Sequence, residues 1–487
     1  MIDTQMINDK DKKNLVVYCL LSLLFIYPLI QAGIYYRDDL DRSITGQYGW
    51  KSLGRPVADL LMRLLSASGK DNLDLFPYTM IVSCLFLSLA AILLKKSLEN
   101  KKIQHATFIA CLIIFNPFML QNIAYRYDSL GMALAFLLAV ISYTYRSETA
   151  SNKNRLIRIA AGILSLSIYQ PCANIFIGLL AIDLAIYCTL NEKKPREKLH
   201  YFIKKITDFL AFYILYILFV AKFWKHTNQR AETVPIDISG LQIISHTFKE
   251  LLAMVLSFFH GPVAMYFIIP SAIAFTITIY RICKNNKDII LNLALLALSF
   301  ITLIVSLLGP NIILMSPPVF PRTLVSFSCY LVILAIMLGN LKGKIIYTSI
   351  IPVITVFSFS AQLSNALKTQ RDHENMVFNM ITRDLLNTNK VDKITVIGQV
   401  NISERTKILL KNKPTINYFI SPASGFTADF QLLSKGFAQT TYGYDDKKNT
   451  DILQAINIKN KTKPWISNQE YKIYISGNNA VVQLGTP

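Results

Sequence analysis

Long apolar runs alternate with short polar connections from residue 15 to residue 361, and this alternation predicts a bundle of membrane-spanning α-helices. Eleven runs approach spanning length: 15–34, 76–94, 103–116, 129–145, 157–171, 173–190, 206–223, 262–280, 288–308, 322–339 and 345–361. The third and fifth are short for a bilayer. The first follows Lys10, Lys12 and Lys13, as a secretion signal would. No small-residue cleavage site precedes Tyr35 and Tyr36, so the run is expected to remain as an anchor. Beyond 361 the chain turns polar and rich in Lys, Asn and Thr. There 362–386 reads as a helix and Lys393–Gly398 as a strand ending in a turn, which predicts a small soluble α/β domain over 362–487.

The charges orient this bundle. Basic residues fall in every second connection: Lys95, Lys96, Lys101 and Lys102; Arg146, Lys153, Arg155 and Arg158; Lys193, Lys194, Arg196, Lys198, Lys204 and Lys205; Arg281, Lys284 and Lys287; Lys342 and Lys344. With the basic N-terminus, that set is expected in the cytoplasm. The other set lies outside and comprises the loops 35–75, 116–128, 224–261 and 309–321 of a polytopic region 1–361. An odd number of spans then puts 362–487 on the same outer face.

Composition agrees with a bilayer as solvent. Of the 487 residues, 53% are hydrophobic and only 16% charged, against about a quarter charged in soluble domains. Mean hydropathy is +0.39. The net charge of +20 suggests nucleic acid until position is considered. The cations sit between apolar runs, so a lipid surface is the expected partner and nucleic acid is not. The seven cysteines all lie in or beside apolar runs without C-x-x-C spacing, and are read as small apolar residues rather than disulfides or zinc ligands. No phosphate-loop, H-E-x-x-H or G-x-S-x-G motif is present, and no cofactor or metal is expected.

Candidate chemistry gathers on the outer face. Tyr35 to Arg42 reads Tyr-Tyr-Arg-Asp-Asp-Leu-Asp-Arg, three carboxylates and two guanidiniums in six residues. A glycosyl transferase needs a carboxylate to take the acceptor hydroxyl's proton and cations to neutralise a leaving phosphate. The same loop also fits a hydrated, self-paired segment through Arg37/Asp41 and Asp38/Arg42, or a divalent-cation site. Gly54-Arg55-Pro56 opens an amphipathic helix with Val57, Leu60, Leu61, Leu64 and Leu65 on one face, expected to lie along the interface and present Arg55 to phosphate, or simply to pack the loop. Tyr125-Arg126-Tyr127-Asp128 offers a phosphate-binding Arg126, and Asp128 as a cap for the next helix. Tyr169-Gln170-Pro171 makes a corner where Gln170 meets a sugar or satisfies backbone groups. Pro317 to Arg322 delivers Arg322 to the outer surface as ligand or snorkelling anchor. His260 reads as structural, and Asp183, inside an apolar run, needs an interior partner and is the residue that favours a transporter.

In these same segments the chain resembles the type II Gtr glucosyltransferases, phage-associated serotype-converting enzymes of Gram-negative bacteria. The resemblance rests on the order and spacing of Tyr36 to Arg42, Gly49-Trp50 with Gly54-Arg55-Pro56, Asn116-Pro117 with Tyr125 to Asp128, and Tyr169-Gln170-Pro171. It covers 15–361, and more weakly the Ile394 to Gly398 strand. Asp41 stands where a small residue is common in that family. The resemblance implies a GT-C-like membrane fold and transfer of glucose from undecaprenyl-phosphate-glucose to lipopolysaccharide O-antigen in the periplasm. It implies Asp38 or Asp39 as catalytic base, with Asp39 favoured. It also implies Arg42, Arg55 and Arg126 as phosphate or sugar ligands, and Arg37, Trp50, Tyr125, Asp128, Tyr169, Gln170 and Arg322 join them as candidate substrate-binding residues. Tyr418, Phe419, Tyr442, Tyr444, Trp465, Tyr471 and Tyr474 are candidates to stack on acceptor sugars or to fill the core. The rivals are a flippase or secondary transporter of lipid-linked sugars, and another polyprenyl-phosphate-sugar transferase. Polar residues gathered on one face, rather than at the midplane, favour the enzyme.

Overall fold

The computed structural model describes residues 8–147, 151–189, 195–224, 232–285, 288–339, 344–388, 391–441 and 446–485. Lys193, Lys194, Lys287, Lys342, Tyr442 and Tyr444 lie outside the described residues. The chain forms two units: 1–31, 48–68 and 75–361 in one, and 32–47, 69–74 and 362–487 in the other. Residues 32–47 and 69–74, parts of the expected first outer loop, thus group with the C-terminal part of the chain.

The larger unit is almost wholly helical. Among the described residues seven helices are long and apolar enough to cross a membrane: Asp9–Ala32, Tyr78–Asn100, Gln170–Cys188, Glu197–Trp224, Val263–Lys284, Ile289–Ile313 and Lys344–Leu386. The expected eleven are not reached, for identifiable reasons. Run 103–116 gives only the helix Ala106–Cys111 and a 3₁₀ turn Leu112–Ile114, because Pro117 follows and its ring disfavours helix before it. Run 157–171 ends at Ile168, where the Tyr169-Gln170-Pro171 corner begins, and its Asn152–Ile168 helix starts with three cations. Ser129–Thr144 and Val325–Gly339 are apolar but short. The expected loop 224–261 instead contains a helix, Ile238–Phe258, capped by Asp237 accepting from the Gly240 amide at 2.9 Å.

Small residues and hydroxyls join these helices, as expected where lipid offers no hydrophobic drive to associate. Ser165 Oγ donates to Ala135 O at 2.7 Å, Ser299 Oγ to Ala181 O at 2.8 Å and Ser360 Oγ to Phe25 O at 2.6 Å. Gly162 lies so close to Phe212 that a Cβ would sit 2.4 Å from its ring. Where the chain breaks before Pro117, Asn116 replaces the lost ladder: its amide donates at 2.9 Å to Leu324 O and Val325 O and its oxygen accepts from Phe118 N.

In the second unit, four strands order β1-β4-β3-β2, with β1 (Lys393–Gly398) parallel to β4 (Asn479–Leu484). β3 (Tyr471–Ser476) is antiparallel to β4 and to β2 (Ile466–Ser467). One face of the sheet takes Val377, Phe378, Ile381 and Leu385 of the Ile350–Leu386 helix against Ile394, Val396, Ile473 and Val482. Ala455 packs with Tyr474 and Val481 on the other. Phe419, Tyr471 and Tyr474 are therefore core residues, whereas Trp465 is 46% exposed.

Candidate functional site

The twelve candidate residues fall into two groups. Trp50, Arg55, Tyr125, Arg126, Asp128, Tyr169, Gln170 and Arg322 belong to the helical unit, and Arg37, Asp38, Asp39 and Arg42 to the other.

In the helical unit, Gly54 has φ +72°, a left-handed turn that glycine adopts without strain, and Arg55 then precedes the Pro56–Leu65 helix. This helix inverts the usual burial pattern. Leu60 and Leu64 are 54% and 70% exposed, while Asp59 is buried and paired with Arg63 at 2.7 Å. The apolar face turned outward is what an interfacial helix needs. Arg55 lies over the Tyr169 ring at 4.7 Å and donates from Nε to Gln170 Oε1 at 2.8 Å. Gln170 Nε2 in turn reaches Tyr216 OH at 2.9 Å and Leu53 O at 3.0 Å. Tyr216 OH donates to Gly54 O at 2.9 Å, closing a ring of contacts around the arginine.

Burial lowers the Arg55 pKa, and the nearby charge of Arg322 lowers it further, opposed by Tyr169, Asp128 and Tyr216. Arg322 comes from a 3₁₀ turn, Pro321–Thr323, and is held by Tyr125 OH, with its guanidinium 5.4 Å from the Tyr125 ring centre and 5.2 Å from that of Phe320. Its own carbonyl accepts from Tyr169 OH at 3.4 Å and from Asn122 at 3.1 Å. Trp50, 1% exposed, donates from its indole to Asp128 Oδ1 at 2.6 Å. Asp128 does precede the Ser129–Thr144 helix, but its side chain makes no cap hydrogen bond there. Arg126 stands over the Phe76 ring at 4.3 Å. The cluster thus sets two guanidiniums, Arg55 and Arg322, on aromatic rings beside one carboxylate, an arrangement suited to an anionic ligand.

In the second unit Arg37 takes φ +51°, uncommon for a side-chain-bearing residue, and turns the chain into the short helix Asp39–Thr45. The two acidic neighbours consequently face different surroundings. Asp39 is fully buried, and its Oδ2 accepts from Tyr36 N at 3.0 Å, closing the turn. Asp38 has a side chain 38% exposed, within 3.4 Å of Arg42 Nη2. Asp41 is spent locally, accepting from Thr45 Oγ1 at 3.2 Å and from the Gln47 amide, and burial raises its pKa. Tyr36 OH donates to Phe419 O at 2.6 Å, and Arg37 Nε to Tyr36 OH at 3.3 Å. Among the described residues no group of three or more His, Cys, Asp or Glu is placed to hold a metal ion.

Two residues complete the picture. Asp183 has its interior partners: it accepts from Tyr143 OH and Tyr201 OH, each at 2.6 Å, and from Lys101 Nζ. Tyr216 was hidden from sequence reasoning inside an apolar run. The usable signal is structural, since a π-helical turn, Ile217–Ala221, starts just after it, and such turns recur at functional positions.

No solved structure matches the chain. The chain is 26% identical over 398 residues to an uncharacterised 55.3 kDa protein in the gtrB 5′ region of Salmonella phage P22, covering 78% of this chain and 79% of that one. The family model of glucosyl transferase GtrII matches residues 27–339, a stretch that contains every residue placed above in both groups of candidates, and the chain belongs to that family.

Proposed function

We propose that the chain transfers glucose from undecaprenyl-phosphate-glucose to a sugar of lipopolysaccharide O-antigen. The reaction takes place at the periplasmic face of the bacterial inner membrane, with the N-terminus cytoplasmic and 362–487 periplasmic. The reading rests on the pair Arg55 and Arg322: burial and then the Arg322 charge lower the Arg55 pKa, and the two guanidiniums lie by the Tyr169 and Tyr125 rings. Like charges held together call for an anion between them, and a lipid phosphate supplies it. The basic connections that alternate along the bundle support the orientation. The outward apolar face of Pro56–Leu65 supports an approach from lipid. A GT-C-like architecture is part of this reading.

In the proposed reaction the acceptor hydroxyl oxygen attacks C1 of glucose while the bond from C1 to the phosphate oxygen breaks. The electron pair leaves with undecaprenyl phosphate, whose added negative charge is met by Arg55 and Arg322. Asp38 takes the hydroxyl proton: its carboxylate is accessible, whereas Asp39 is buried and holds the turn through Tyr36. Arg42 steadies Asp38, and Trp50 orients Asp128 toward the donor. In the helical unit Arg126 and Gln170 complete the polar lining, and in the other unit Arg37 precedes Asp38.

The test is compositional. Expression in a strain that makes both undecaprenyl-phosphate-glucose and unmodified O-antigen should add one glucose branch per repeat, read by NMR of the released polysaccharide. O-antigen left without added glucose, with the protein present in the membrane, contradicts the reading.

A further inference from the structure

Resting on that reading, we propose that a cleft within the second unit seats one neutral sugar ring of the acceptor glycan. The cleft encloses about 50 Å³ and opens to solvent, so it takes the edge of a ring and leaves the rest of the glycan outside; its walls come from Tyr36 and Arg37, from Arg371 and Glu374, and from Ser421 and Gln431. Arg37 is the residue before Asp38, so one wall of the cleft runs directly into the proposed base.

The chemistry of the lining selects the ligand. Glu374 is 5% exposed; its Oε1 accepts from Ala423 N at 3.0 Å and from Gln370 Nε2 at 3.2 Å, and Oε2 faces Arg371 Nη1 at 3.7 Å. With its amide turned to accept, Gln431 takes a hydrogen bond from Arg371 Nη2 at 3.0 Å. Carboxylate, guanidinium and amide therefore hold each other in fixed directions before any ligand arrives. A phosphate would meet the Glu374 charge at close range, with Arg371 already committed to that carboxylate, so an anion is disfavoured. Leu40, Leu367 and Ile420 bring apolar surface between these polar groups. Planar polar groups alternating with apolar patches fit a ring that carries hydroxyls on its rim and C–H groups on its faces.

Ser421 is exposed at the mouth, so changing it spares the core. Two variants of the purified full-length protein test the cleft: Ser421→Trp, which places a ring across the mouth, and Gln431→Ala, which removes one partner. The probe is O-antigen polysaccharide, followed by saturation-transfer NMR for binding and by initial rates for transfer from undecaprenyl-phosphate-glucose. Both variants should raise the acceptor KM by roughly tenfold or more, about the weight of one or two lost hydrogen bonds, with kcat held within about twofold. The saturation-transfer signal should fall in parallel. Unchanged acceptor KM and unchanged binding in both variants overturn the cleft as the sugar seat. If wild-type protein binds the polysaccharide and Ser421→Trp abolishes that binding, yet no donor is consumed, the cleft stands and the donor assignment falls.

Discussion

Asp38 and Asp39 are neighbours in sequence but not in environment. Asp38 and Asp39 were indistinguishable as neighbours, with a slight preference for Asp39, because one sequence does not say which carboxylate a turn will bury. The Arg37 turn, at φ +51°, resolves their surroundings: Asp39 buried on Tyr36 N, Asp38 accessible beside Arg42. Asp38→Asn should lower transfer by about a hundred- to ten-thousand-fold, the usual weight of a general base, while leaving membrane levels and donor binding intact. Asp39→Asn should act more mildly, because the amide oxygen still accepts from Tyr36 N. Transfer rates in membranes, matched by immunoblot, decide this. Near-normal transfer by D38N moves the base elsewhere, and loss confined to D39N exchanges the two roles. Asp41, by contrast, was readable only as a third acid; its ties to Thr45 and Gln47 could not be seen from spacing.

Elements were legible where a local signal had no competitor. Pro56 marked a helix start, and the helix runs Pro56–Leu65; Lys393–Gly398 is the strand its β-branched residues announced. Helix count was less legible, because hydropathy alone does not register where Pro117 or Pro171 cuts a run. Ile238–Phe258 was missed inside a loop since its exposed and buried residues mix polar and apolar types. Tyr216 was missed for a related reason: a tyrosine among Ile and Leu looks like bilayer-facing bulk. Its contacts make it a positioning residue that steadies Gly54 and, through Gln170, Arg55. Tyr216→Phe should therefore raise the donor KM by about two- to tenfold, with little change in kcat, the effect of losing one or two hydrogen bonds. Arg55→Ala should raise it further, Arg55→Lys should recover only part, and the double variant Y216F/R55A should match R55A alone. Additive losses in the double variant show instead that Tyr216 acts independently of Arg55.

Across the whole molecule, hydropathy and composition carry the architecture, and the order and spacing of the outer motifs carry the family. The bilayer as solvent, the mainly helical chain and the small C-terminal sheet were all readable from apolar runs and the change in composition after 361. Residues 32–47 clustering with 362–487 were not readable, because contacts between segments over 300 residues apart leave no trace in periodicity. The buried Asp183 shows the same limit, since its bonds to Lys101, Tyr143 and Tyr201 come from three other helices or connections. Those contacts satisfy its charge within the bundle, as a structural acid requires.

In the proposed function, glucose leaves a lipid phosphate and joins a glycan on this one chain. Purified protein in liposomes, supplied with undecaprenyl-phosphate-glucose labelled in the sugar and with O-antigen polysaccharide, measures that most directly. Label should pass from the lipid fraction to the polysaccharide, with one undecaprenyl phosphate released for each glucose transferred. Label that stays on the lipid, or that crosses the bilayer still attached to it, contradicts glucosyl transfer by this chain.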